Sequence, residues 1–173
     1  PLEKEAQTQL FMAERYFGKD SLRLAVNGDG NYLGFKDIIE EYGVTPSANL
    51  AHYYLGICYI KQQQFEEAID HLKGFDSDDD VLYSMAHGAM GDAYMELNNT
   101  EDALGQYLTA ANDKVNRFTT PIFLMKAGLA YELQGKYDQA AELYDRLSKE
   151  YPSVQEGRDA EKYLARARAA AGK

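Results

Sequence analysis

The sequence contains one cysteine, four prolines, no tryptophan and only 18 basic residues among 173. The lone cysteine, Cys58, excludes an internal disulfide and suits cytosol or a bacterial periplasm equally. Scarce proline, with long stretches that lack strand alternation, favours helices. No run of 18 apolar residues occurs, so this segment does not itself insert into a membrane. Basic residues are outnumbered by 28 acidic ones, for a formal net charge of -10. A protein that grips nucleic acid needs a cationic footprint to displace counterions, so this partner class is excluded. The acidic surplus reads as solubility.

Hydrophobic residues make up 45% of the chain, enough for a buried core. The length fits a single domain over residues 1–173, built as one compact unit or a short repeat array. No signal peptide is visible, and the chain begins at Pro1 without a methionine. The expectation is that an upstream segment has been removed.

Internal periodicity organises what is there. Leu55-Gly56-Ile57-Cys58-Tyr59 is followed by Phe65 and Ala68; Met90-Gly91-Asp92-Ala93-Tyr94 by Thr100 and Ala103; Ala127-Gly128-Leu129-Ala130-Tyr131 by Tyr137 and Ala140. In each case Tyr comes three residues after Gly, and Ala comes twelve after it. Each unit predicts a helix pair in which Gly and Ala let the two axes approach to about 8–10 Å. Thr45-Pro46 and Thr120-Pro121 pair a capping residue with proline at a first helical position. Asn98-Asn99 and Gly135 separate helices within units. Ser153 and Glu156 have the spacing of a capping box, opening a last helix with a polar outer face.

The pattern resembles the tetratricopeptide repeat, which places a small residue at position 8, Tyr at 11, Ala at 20 and often Pro at 32. On that frame the repeats span 49–82, 84–117 and 121–154, followed by a capping helix over 155–171. Position 32 is Pro152 in the last repeat but Asp80 and Val115 in the others. Residues 1–48 read as a degenerate first repeat: Ala13 and Tyr16 keep the three-residue step, an insertion fills 18–31, and the second helix arrives late, from Tyr32 to about Tyr42. The resemblance implies an all-α, right-handed α-solenoid of about three and a half helix hairpins. A finer resemblance, to bacterial membrane-anchored periplasmic proteins like the ancillary Sec-translocon subunit, implies a membrane anchor before Pro1. That would place the domain on the periplasmic side of an inner membrane; without an anchor, cytoplasm is the expectation.

In this family the first helix of each repeat lines a concave surface that binds polypeptides. The matching positions here hold Leu50, Tyr53, Ile57, Ile60 and Lys61; then Met85, Gly88, Asp92, Met95 and Glu96; then Ile122, Met125, Leu129, Glu132 and Leu133. Met85, Met95 and Met125 divide between groove and core, and Tyr53 is the expected exposed anchor. The Lys and Asn clamp by which some relatives hold a C-terminal carboxylate is missing, since those positions hold Tyr53, Ile57 and Lys61, then Gly88, Asp92 and Glu96. The resemblance therefore implies a scaffold that binds a peptide or partner protein, in a bacterial envelope complex. The alternative is an accessory subunit of an envelope machine, binding through its convex face or the N-terminal insertion. An enzyme or small-molecule binder ranks last.

No cofactor, metal or catalytic site is expected. His52 and His87 share position 4 of successive repeats, too far apart for one zinc ion. His71, four residues after Glu67, predicts a helix-surface pair. Asp76–Asp80 and Asn27–Asn31 lack the Gly and Glu that a calcium loop requires. Phosphate-loop and nucleophile-elbow motifs are absent. Cys58 reads as a packed thiol.

Overall fold

The computed structural model describes residues 1–173 and contains helices without strands. The helices gather into two compact units, where the sequence reading has one domain. Pro1–Asp76 holds α1 (Leu2–Gly18), α2 (Leu22–Asn27), α3 (Phe35–Tyr42), α4 (Pro46–Lys61) and α5 (Phe65–Lys73). Ser77–Lys173 holds α6 (Asp80–Glu96), α7 (Thr100–Asn112), α8 (Thr120–Leu133), α9 (Tyr137–Glu150) and α10 (Gln155–Ala170).

Local sequence sets the helix ends. Thr45, Asp79 and Asn99 cap α4, α6 and α7 by accepting from the amides of Ala48, Leu82 and Asp102. Two expected caps differ. Thr119, not Thr120, precedes α8; the buried Thr120 hydroxyl instead donates to the carbonyl of Ala111 at 3.2 Å. Val154 precedes α10 and no side chain caps it, because the chain is one residue out of register for Ser153 to do so.

The turns inside the helix pairs are copies of one another. Asp20, Gln63, Asn98 and Gly135 all take positive φ, between 56° and 69°. The next amide in each turn, of Ser21, Gln64, Asn99 and Lys136, donates to the carbonyl of Tyr16, Tyr59, Tyr94 or Tyr131 at 2.8–2.9 Å. This is the Schellman closure of a helix C-terminus.

The first of these turns corrects the reading of residues 18–31 as an insertion that breaks the repeat. The turn after α1 is regular, α2 begins where α5, α7 and α9 begin in their pairs, and Ala25 follows Ala13 by twelve residues. Ala25 is as fully buried as Ala68, Ala103 and Ala140. The second helix of this pair is therefore α2. The added residues come later, as the turn Gly28–Gly34 and α3, which starts at Phe35 and not Tyr32. The helical propensity of 22–27 was hidden by the Asn-Gly-Asp-Gly-Asn run that follows it.

Within each later pair, a bulky side chain sixteen residues after the glycine lies directly on it. A Cβ at Gly56 would stand 2.5 Å from Leu72 Cγ; at Gly91, 2.5 Å from Tyr107 Cε1; at Gly128, 2.5 Å from Tyr144 Cε1. Leu72, Tyr107 and Tyr144 are all buried. In the second unit Tyr107 and Tyr144 join a core with Phe123, Leu124, Leu147 and Leu164, the last contributed by α10. In the first unit the core is built from Leu10, Val26, Phe35, Ile38 and Leu55, with Cys58 beneath them. Burial raises the Cys58 thiol pKa to about 11, so it is a packed, unreactive group.

α1 is tied to the start of α4 by Glu3, whose carboxylate accepts from Ser47 Oγ at 2.7 Å and Ser47 N at 3.2 Å. Burial pushes the Glu3 pKa up, but the bonds from Ser47 outweigh it and hold the group below its ordinary 4.5.

Two outcomes follow from this packing. Gly91→Ala and Gly128→Ala should each lose about 1–3 kcal/mol in urea unfolding, by overpacking. Gly105→Ala, in α7 with nothing within 4 Å of the new methyl, should instead gain about 0.5–1 kcal/mol. Because the folded pKa of Glu3 is depressed, its contribution is complete well above pH 4.5 and is lost as pH falls through that region. Stability curves of the wild type and Glu3→Gln should therefore differ at pH 7 and converge towards pH 3.

Candidate functional site

The first helices of the pairs carry the residues expected to meet a partner. In the first unit, Leu50, Ile57 and Ile60 are half-buried on α4. Tyr53 is not a free anchor: its ring packs 5.3 Å from Phe75 and 5.7 Å from Tyr54, and burial raises its pKa. Lys61 is exposed, yet its ammonium bonds Asp20 at 2.9 Å and lies 5.3 Å from the Phe17 ring centre.

In the second unit the three methionines separate. Met85 is 38% exposed, whereas Met95 and Met125 are half-buried against the core. Gly88 is covered by Phe123, so it opens no hollow. Ile122 and Leu129 are half-buried, Glu96 is exposed, and Leu133 is 67% exposed.

Polar groups on these helices are engaged with each other. Asp92 on α6 receives Lys126 Nζ from α8 at 2.6 and 2.9 Å and the Tyr107 hydroxyl from α7 at 2.6 Å. Burial, then the Asp92 carboxylate, raises the Tyr107 pKa far above its usual value. One repeat further on, Arg166 of α10 pairs with Glu132 of α8. Tyr144 is buried beside that pair, and its pKa is raised, by burial first and then by the Glu132 charge.

Beside the Glu132–Arg166 pair, a hollow of about 590 Å³ opens between α8, the start of α9 and α10. Leu129, Leu133, Tyr137 and Ala170 give it apolar walls, and the ion pair provides a charged edge. It is the size of a site that holds one side chain or a short segment.

The histidines are placed differently from the expectation. His71 does not stand with Glu67 on the helix surface; its Nδ1 lies 3.1 Å from Nδ1 of His52, across the α4–α5 pair. His87 makes the corresponding contact with Gln106, at 2.7 Å. Both contacts join residues nineteen apart.

Two recurrences went unused in the sequence reading: the sixteen-residue step from Gly to its covering side chain, and this nineteen-residue step. Both are visible on the repeat frame once the helices are known to face each other across it.

The tetratricopeptide repeat family model matches residues 35–80 and 89–155, well over half of the chain. The chain belongs to the tetratricopeptide repeat family. Among solved structures it is similar to the nearly identical TPR-like repeats of a kinesin light chain-like protein from Podosopora anserina, at 16% identity and TM-score 0.71, covering 99% of this chain and 89% of that one. MamA is 18% identical at TM-score 0.65, covering 98% and 93%. A tetratricopeptide repeat protein from Parabacteroides merdae is 19% identical at TM-score 0.73, covering 96% of this chain and 61% of that one. At such identities these structures speak for the α-solenoid fold alone. No curated protein matches the sequence. The family model leaves out residues 1–34, whose turn and Ala25 nevertheless follow the repeat.

The Asp92 network separates a buried role from an exposed one. Asp92→Ala should cost about 1–3 kcal/mol in chemical unfolding, since the buried Tyr107 hydroxyl loses its acceptor. Lys126→Met should cost under about 1 kcal/mol, as expected of a half-exposed ion pair.

Proposed function

We propose that this tetratricopeptide repeat chain is a protein-interaction scaffold that receives a peptide or partner protein on the exposed faces of its first helices. The observation that carries this reading is the apolar hollow at Leu129, Leu133 and Tyr137, with Leu133 67% exposed at its wall. Isolated apolar residues on a surface are ordinary, but several around one concavity mark a binding site. Met85 adds a flexible apolar contact on α6, of the kind that adapts to varied ligands. Asp92, Lys126, Glu132 and Arg166 are committed to pairs that join neighbouring helices along this surface.

The alternative reading, binding through the convex face or the N-terminal segment 18–31, has less support at that segment. The turn Gly28–Gly34 is fastened to α1, with Tyr16 donating to Asp29 and the amide of Leu33 donating to Gln9 at 2.8 Å. We further propose, on the family resemblance alone, that the scaffold works in a bacterial envelope complex. An apolar stretch of about 20 residues ahead of Pro1 in the gene would support that placement, and its absence would remove it.

The test is a peptide array of extended and helical sequences, followed by fluorescence anisotropy on the hits. Selected apolar peptides should bind the full chain, and Leu133→Asp should weaken them tenfold or more without changing the helical circular dichroism. Hits that ignore both Leu133→Asp and Tyr137→Ala would rule out this hollow as the site.

A further inference from the structure

We propose that His52 and His71 together form a chelating site for a divalent transition-metal ion on the α4–α5 pair. No group of three or more His, Cys, Asp or Glu side chains is placed to hold a metal ion, so this is a two-ligand site with its remaining positions open to water.

The argument begins with the contact itself. The two Nδ1 atoms are 3.1 Å apart. A contact between like ring nitrogens requires one to carry a proton and the other to accept it. In such a contact each Nδ1 is directed at the other, so both ligating atoms already face one gap between the two rings. Nitrogen ligands about 2.0–2.1 Å from a zinc ion stand roughly 3.3 Å apart at a tetrahedral angle and about 2.9 Å apart at a right angle. The observed separation falls between these, and an ion at that bond length lies to one side of the line joining the nitrogens, so each ring turns by up to about 40° from a linear contact to aim its lone pair at it. As the metal enters, the donor ring's single proton moves from Nδ1 to its own Nε2 by exchange with solvent. The acceptor ring already carries its proton on Nε2, and both neutral rings then present a bare Nδ1 to the ion with no net proton release.

The surroundings of this pair are not repeated elsewhere in the chain. On the repeat frame, His52, His71 and Gly74 correspond to His87, Gln106 and Thr109 in the next unit, and to Leu124, Leu143 and Arg146 in the last. Only the pair with two imidazoles has a glycine beside it. A Cβ on Gly74 would stand 3.2 Å from His52 Nδ1 and 3.3 Å from its Cε1, so the missing side chain leaves room next to the ligating atom. Both rings are half-exposed, which gives an ion a route in. The Tyr59 ring, 5.5 Å from that of His71, walls one side. Of the charged groups that act on the pair, Asp70 favours an added cation and Lys36 opposes it. Neutral imidazole suits zinc, nickel and copper, with copper tightest by intrinsic order.

The experiment titrates the full chain with Zn2+ at pH 7.5 by isothermal calorimetry. His71→Gln is the informative variant, because the His87–Gln106 contact shows that this fold accommodates a histidine–glutamine pair. The wild type should take up one Zn2+ per chain. His71→Gln and His52→Gln should each lose at least tenfold in affinity, with circular dichroism unchanged, and His87→Gln should bind as the wild type does. Failure of the wild type to bind one equivalent, binding by His71→Gln equal to the wild type, or an equal loss in His87→Gln would each overturn the assignment.

Discussion

Each of the three later hairpins is held by the seating of a large side chain on a backbone stripped of its own. Leu72 on Gly56, Tyr107 on Gly91 and Tyr144 on Gly128 bring the second helix against the first at one defined point. Small alanines at 68, 103 and 140 let the remaining length close, all fully buried. Dispersion and burial at such a point fall off steeply with separation, so it fixes register as well as contributing stability. A tyrosine adds a second requirement, because its hydroxyl reaches through the core and needs a polar neighbour. Tyr107 finds Asp92, which in turn holds Lys126 from the following pair. The interlock within one hairpin thereby extends to the next.

That sequence of contacts explains why exposed apolar residues fall on the first helices. The second helix is spent on covering its own glycine. The first helix keeps one face for the core and one for solvent, so Met85 and Leu133 stay exposed while Ala86, Ala127 and Ala130 are buried. The charged residues of the surface are drawn into ion pairs between repeats, as with Glu132 and Arg166. They rigidify the surface, and the side chains it leaves unengaged are mainly apolar.

Much of this fold was legible because its period survives in the sequence. Gly56, Gly91 and Gly128 announce the helix pairs, and Thr45 and Asn99 announce two helix starts. What was not legible depended on partners brought together from different helices. Tyr53 has the composition of an exposed anchor, and only the position of Phe75 shows that it is packed. His71 has Glu67 one helical turn away, yet burial against α4 turns it towards His52. Met85 and Met125 look alike in sequence, and they differ because only the second meets the core.

The first hairpin shows what happens when the interlock is absent. The position that should hold a bulky side chain over Ala13 is Asp29, sixteen residues on. A carboxylate cannot enter the core without a large desolvation cost. It stays at the edge instead, bonded by the Tyr16 hydroxyl and the amides of Asn31 and Tyr32. The chain there turns back on itself so tightly that a Cβ on Gly34 would lie 2.3 Å from the Val26 carbonyl oxygen. That turn delivers α3, and Phe35 and Ile38 from α3 are fully buried in the same core as Ala13 and Ala25. With no side chain descending onto position 13, alanine can stand there in place of glycine. The added residues thus bring apolar bulk to the core of a hairpin that lacks the large side chain found at this step in the others.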